Sequence, residues 1–488
     1  MNENSYNLID EPWIPVILKS GENRDVSLSE IFSEQSSEIA DLSLIPYERI
    51  AVFRLLLCIA QAALGPDRLK GENEWLASRT DLVDVCGKYL DKWHDRFYLY
   101  GPHAFLQPDN LKDVAGKKHL DKLFFDCSSG NNSTLFDHQA LTGERAHSPG
   151  RRCIGMLAFQ NFSAGGRSSK CLWGKKETAA TVKASPCRER SGLFTILLGE
   201  DLLTSIWMNL LTDTQIHSLP NAKWGRPVWE LDHLDEGSVL TVSGTMLGRL
   251  TPISRVMKLD PDSPESLLGE GAQYTQFPEW REPMVTVVPK NGSLEDTYIP
   301  TDPDKMPWRD LQSILSLNED SRHKSALALH HLQTLSESDF KIWVGGLRCD
   351  QAKEIDMVEW STSLSKKILD EPVLLQYESA VEWAEKQANF LEWAIKTYSS
   401  AMKLDKADVF KEPAKRIYWD ILGTAKYQTQ VQDIGSPSYL EDWKKATDAV
   451  AKRAYEESCP HTTPRQLVAY AQGFSKITIH ERNDDTHE

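Results

Sequence analysis

PVLLQYESAVEWAEKQANFLEWAIKTYSSAM, residues 372–402, decides how this chain ends. Tyr377, Val381, Ala384, Ala388, Leu391, Ile395, Tyr398 and Met402 recur at spacings that alternate between four and three. An α-helix turns once in about 3.6 residues, so this rhythm lines the eight side chains up in one stripe. The stretch predicts a helix of roughly 30 residues, long for a globular protein. Further helices are predicted at 407–430, 438–457 and 463–476, separated by breaks at Gly435-Ser436-Pro437 and between Pro460 and Pro464. Four helices joined by short turns make a bundle, with the stripe as its core rather than a cofactor box.

Upstream the pattern is mixed. ERIAVFRLLLCIAQAAL, residues 48–64, has helical spacing and no breaker, and reads as a core helix. VLTVSGTMLGRLTPISRVMKL at 239–259 and MVTVV at 284–288 are rich in β-branched residues and read as strands. Long polar connections at 126–150 and 163–192 are of a size that is usually functional or disordered. The predicted class is therefore α+β: a large mixed α/β domain over 1–365 followed by a four-helix bundle over 366–488.

Composition narrows the function. With 40% apolar and 26% charged residues among 488, the chain suits a globular protein of two or three domains. It has no run of about eighteen apolar residues and no signal-peptide pattern at its start, so a cytoplasmic protein without membrane contact is expected. The eight cysteines form no CxxC pair, which argues against a zinc ribbon and a disulfide framework. The net charge of −16 hides an island: residues 145–190 hold ten Lys or Arg against two acids, +8, leaving 45 basic and 69 acidic residues, −24, elsewhere. A basic island in an acidic body suits an anionic ligand held at one place; a solvated basic loop would give the same count.

Within the island, Ala164-Gly165-Gly166-Arg167-Ser168-Ser169-Lys170 fits neither GxxxxGK[ST] nor GxGxxG. A nucleotide- or phosphate-binding enzyme using the 163–176 loop is one reading, and both missing spacings count against it. Glycines that let backbone approach a nucleic-acid groove, with Arg167, Lys170, Lys175 and Lys176 on phosphates, are an alternative, and a structural scaffold for RNA or protein is a third. Asp137-His138 and His147 match no zinc spacing, and the adjacent His330 and His331 cannot form a helical ligand pair, so no metal or other cofactor is expected. No GxSxG and no carboxylate cluster suggests catalysis. Two turns place side chains at tips: Lys290 after Met284–Pro289, and Gln351 after a run holding Gly345-Gly346.

Taken in order, Asn7–Val16 (NLIDEPWIPV), Ser133–His138 (STLFDH), Gly165-Gly166, Pro283–Val287 before Lys290, and Gly345–Ala352 (GGLRCDQA) resemble the CasA family, large subunits of the type I-E Cascade complex of bacterial CRISPR immunity. The resemblance runs over nearly the whole chain. It implies a non-enzymatic protein that recognises the protospacer-adjacent motif in double-stranded DNA, largely from the minor groove, while guide pairing reads the remaining sequence. It implies that Ala164, Gly165 and Gly166 enter the groove, that Lys290 contacts the motif, and that Gln351 with Ala352 forms a wedge that begins strand separation, held by a Gly345-Gly346 turn. Leu135, Phe136 and Asp137 match the loop that anchors the guide RNA handle. Implied partners are the other Cascade subunits, the CRISPR guide RNA, target DNA and a helicase-nuclease. The zinc-binding cysteine pairs of some relatives are absent from this chain.

Overall fold

The apolar run at 48–64 lies inside a helical segment, Pro46–Arg68, that kinks at Gly65 (φ 73°) before Pro66; Pro46 sits in the first turn, where its missing N–H is no loss. Every residue from Pro46 to Gln61 is buried, which makes this a core helix and not an amphipathic surface one. By length and composition it could cross a membrane, yet 72% of its most apolar stretch is buried inside the fold. Burial on all sides obliges its polar side chains to find partners. Arg54 pairs with Glu282 at 2.8 Å and donates to the Arg249 carbonyl at 2.6 Å, while Gln61 bonds both backbone groups of Leu211. The Pro149–Phe162 helix, capped by Ser148, packs beside it.

The structure, a computed structural model, describes residues 6–127, 147–290, 292–318, 322–351, 353–404, 408–424 and 434–484. The chain divides into two compact units: one drawn from residues 1–308, 313–336 and 340–362, the other from 309–312, 337–339 and 363–488. The class is α+β, a mixed N-terminal part followed by a C-terminal four-helix bundle.

Around the central helix the larger unit carries short antiparallel sheets. Ile14–Leu18 lies between Asn23–Val26 and Ile39–Leu42, and the Asp339–Asp350 strand lies between Phe194–Leu198 and Lys353–Ser365. The strand reading of 239–259 is overturned: Glu236–Ser243 and Met246–Leu250 are helices, and only Arg255–Lys258 is a strand. Asp235 and Thr245 accept hydrogen bonds from the amides of Ser238 and Gly248, and these two caps outweigh the β preference of the valines and threonines. The 284–288 run contributes its end to a strand at Val287–Pro289. The 163–192 connection is not structureless; it holds four short strands and a 3-10 helix, Pro186–Ser191.

In the smaller unit Glu371–Ala401 packs against Asp408–Leu422, Tyr439–Ser458 and Pro464–Asp484. The heptad stripe is buried from Tyr377 to Tyr398. Its aromatic partners also satisfy their polar atoms: Trp443 donates to the Ala380 carbonyl at 2.7 Å and Tyr418 to that of Ala384 at 2.8 Å.

Candidate nucleic-acid interface

The Pro149–Phe162 helix stops at Ser163, and Ala164-Gly165-Gly166-Arg167 leads out of it into a strand pair. Gly166 is opposite Val182 and Arg167 opposite Thr181, and the Ser168 amide donates to the Ala180 carbonyl at 2.9 Å. The two glycines are needed for different reasons. A Cβ on Gly165 would lie 2.9 Å from the Ala184 nitrogen and 3.1 Å from the Val182 oxygen, so this position closes the hairpin. Gly166, at φ 122°, has open space around it and presents bare backbone to solvent. Buried Arg255 holds the base, donating to the carbonyls of Ala164 and Lys183 at 2.8 Å each; burial pushes its guanidinium down to about 10. A hydroxyl chain, Ser163 to Ser185 at 2.6 Å and Ser185 to Ser254 at 2.7 Å, runs alongside. Because the glycines follow a helix C-terminus instead of opening an N-terminus, they lack the dipole geometry of a phosphate cradle.

Of the four cations singled out here, two already face carboxylates. Lys170 is 2.6 Å from Glu177, and Lys176 is 2.7 Å from Glu236, whose hydrogen bond and charge raise the ammonium above its ordinary value. Arg167 and Lys175 are exposed, and among the described residues neither has a salt-bridge partner.

Lys290 opens a turn between Val287–Pro289 and Asp296–Tyr298. Its amide donates to the Glu295 carbonyl at 2.9 Å, its own carbonyl accepts from Ser293 at 3.1 Å, and Gly292 supplies φ 72°. The ammonium is exposed, 3.6 Å from the Glu295 carboxylate. Gln351 is exposed at the tip between Asp339–Asp350 and Lys353–Ser365, with φ 51° in the left-handed region, uncommon for a residue with a side chain. Its neighbour Ala352 lies outside the described residues. Gly345 and Gly346 do not form the expected turn. They sit within the strand, Gly345 opposite Phe194, where a Cβ would meet the Trp343 ring at 2.5 Å and, on Gly346, the Thr301 hydroxyl at 2.2 Å. Small residues there let the hairpin lie close against its neighbours.

One segment joins all three elements. The Ser185 amide donates to the carbonyl of Ser163, just before the glycine loop, at 3.0 Å. Arg188, buried, donates to the Phe162 carbonyl at 3.1 Å and the Gln351 carbonyl at 3.2 Å, and pairs with Glu354. Arg190 donates to the Asp296 carbonyl at 3.1 Å, at the foot of the lysine turn. The Ser191 hydroxyl accepts from the Cys349 amide at 2.9 Å and donates back to its carbonyl at 3.3 Å; burial pushes the Cys349 thiol up to about 11. In the sequence Arg188 and Arg190 are legible only as charges in the basic island. Apart from Phe162, 26 residues before Arg188, the partners named above lie over a hundred residues away, and no local signal names them.

Leu135, Phe136 and Asp137 lie outside the described residues. On the described residues that flank them in sequence, His147 bonds Asp121 at 2.7 Å and stacks on Phe124 with centroids 4.2 Å apart, and Arg151 pairs with Glu48 and Asp126. His331 is a core side chain, stacked on Trp75 at 3.9 Å and 2.8 Å from the Leu210 carbonyl, and burial pushes its imidazole down to about 4. Among the described residues no cluster of three or more His, Cys, Asp or Glu gathers in a metal-holding arrangement.

The family model for CRISPR-associated protein Cse1 matches residues 7–454. The chain belongs to the Cse1 family. CRISPR-associated protein CasA/Cse1 of Thermus thermophilus is 26% identical over 506 aligned positions that cover 96% of this chain and 95% of that protein. Among solved structures, Cse1 of Thermobifida fusca superposes with a TM-score of 0.82 at 19% identity over 98% of both chains. A chain of a CRISPR RNA-guided surveillance complex superposes at 0.76 with 17% identity, over 97% of this chain and 99% of that one. Cse1 membership agrees with the resemblance read from the five segments, and the structural likenesses carry the fold: a mixed part and a bundle.

Proposed function

We propose that this chain is the non-catalytic large subunit of a type I-E Cascade complex in antiviral defence, acting in the cytoplasm. It recognises the protospacer-adjacent motif in duplex DNA, starts strand separation for R-loop formation and helps recruit the helicase-nuclease. The observation that carries this reading is the Ser185–Ser191 segment, which ties the glycine loop, the Lys290 turn and the Gln351 tip into one hydrogen-bonded network. Family membership and the likeness to a chain of a CRISPR RNA-guided surveillance complex support the assembly.

In this reading the bare backbone at Gly166, with Ala164 and Gly165 behind it, enters the minor groove, and Lys290 contacts the motif. Gln351 and Ala352 form the wedge, which must offset a few kcal/mol of unstacking per base step and therefore has to be held rigidly. Arg167 and Lys175 meet phosphates directly, and Lys170 and Lys176 do so by exchanging their carboxylates for DNA. Leu135, Phe136 and Asp137 anchor the guide RNA handle. The mixed domain, 1–365, carries these loops, and the bundle, 366–488, completes the subunit beside the other Cascade subunits.

The test uses the complex reconstituted with guide RNA and partner subunits. Lys290→Ala should lower affinity for motif-bearing duplex, while Gln351→Ala should slow strand opening more than initial binding, read by fluorescence of a base analogue beside the motif. Unchanged opening by Gln351→Ala would remove the wedge role, and unchanged affinity by Lys290→Ala would remove the motif contact.

A further inference from the structure

We propose that Arg188 is a positioning residue that couples the glycine loop to the Gln351 tip, so that seating of the loop on duplex DNA and presentation of the wedge are one mechanical event. The inference rests on the reading above and assigns a device within it.

Holding a hairpin tip still is costly. Tips are the mobile parts of a fold, and Gln351 adds a left-handed backbone that a side-chain-bearing residue rarely adopts. Its carbonyl is nevertheless fixed, because the Arg188 guanidinium reaches it at 3.2 Å from a buried position. A buried cation needs compensating charge, and three sources converge here. Glu354, on the returning strand, supplies a carboxylate. The Phe162 carbonyl, accepting at 3.1 Å, supplies the negative end of the Pro149–Phe162 helix. The Gln351 carbonyl supplies the third acceptor. The same carbonyl-bearing helix end is only one residue from Ser163 and two from Ala164, where the glycine loop begins.

Geometry makes this an arginine position. The guanidinium fork spans the helix end on one side and the hairpin tip on the other, whereas a single lysine nitrogen could keep the charge but not both reaches. The Ser191–Cys349 bond pair clamps the outgoing strand two residues before Gln351, so rotation at the tip is opposed from both strands. A shift of the glycine loop along a groove therefore moves Phe162, Arg188 and Gln351 together.

The coupling is tested by strand-opening kinetics in the reconstituted complex, on a fully paired target and on one whose base pairs beside the motif are mismatched. Arg188→Lys should slow opening of the paired target by about tenfold, the scale of losing one charge-assisted hydrogen bond, and stay within about twofold on the pre-opened one. Glu354→Gln, which keeps an acceptor but removes the charge, should slow the paired target by roughly threefold and serves where Arg188→Lys fails to fold. Unslowed opening of the paired target overturns the coupling, as does equal slowing of both targets, which would mean only a structural role. Gln351→Ala runs in parallel. Normal opening by that variant removes the wedge reading itself, whereas slow opening by it beside normal opening by Arg188→Lys and Glu354→Gln removes the coupling alone.

Discussion

Gly165 and Gly166 are adjacent and identical in sequence, yet one is demanded by a neighbour and the other by a dihedral angle. Adding a methyl group at Gly165 forces the Val182–Ala184 backbone away, because the colliding atoms are main chain and cannot rotate aside. Gly165→Ala is therefore expected to loosen the strand pair by about 1–3 kcal/mol, the scale of overpacking a closed site. Hydrogen exchange checks it: the Ser168 and Ser185 amides, which bond Ala180 and Ser163, should exchange at least about fivefold faster. Unchanged exchange would mean the returning strand yields freely. At this scale the sequence shows part of the site. A glycine pair, a strand run ending in Lys-Asn-Gly and a polar tip after apolar residues announce turns, and turns expose Gly166, Lys290 and Gln351. Arg188 is illegible because its role consists of three acceptors, at 162, 351 and 354, that only the folded chain brings to one guanidinium.

Among elements, a persistent period was easier to read than a preference. The heptad of 377–402 repeats often enough that its burial follows from geometry, and the structure buries it from Tyr377 to Tyr398. The valines and the threonine of 239–243 favour strand, but Val239 and Val242 are three apart and both face inward from a short helix begun by Asp235. The cap was present in the sequence and decided the outcome. A glycine sets the spacing between two bundle helices. A Cβ on Gly473 would lie 2.0 Å from the Tyr455 hydroxyl and 2.6 Å from the Ala394 carbonyl of the long helix. The tyrosine ring can shift; the carbonyl can move only with its helix. Gly473→Ala should thus destabilise the bundle by about 1–3 kcal/mol, lowering its denaturant midpoint followed by tryptophan fluorescence. An unshifted midpoint would show that the helices separate without loss of packing.

For the whole molecule, the balance of −16 with a local +8 is legible by counting, but the effective charge of the island is not. Glu236 lies 60 residues from Lys176 in sequence and meets it only after folding. An acidic body repels duplex DNA except where cations are free, so under the proposed function these local carboxylates would act as a brake on indiscriminate binding. Each phosphate neutralised by a protein cation contributes about 0.9 to the slope of log affinity against log salt. Glu236→Gln removes the competing charge and should strengthen duplex binding by the assembled complex, steepening that slope by up to about one between roughly 50 and 200 mM salt. The gain should be largest on duplex lacking the motif, because phosphate contacts carry no sequence information. In the Glu236→Gln background, Lys176→Gln should return the slope to its starting value, whereas alone it should change the slope little. A slope indifferent to Glu236→Gln would mean that Lys176 does not meet phosphate, and would leave Arg167, Lys170 and Lys175 as the cations proposed to do so.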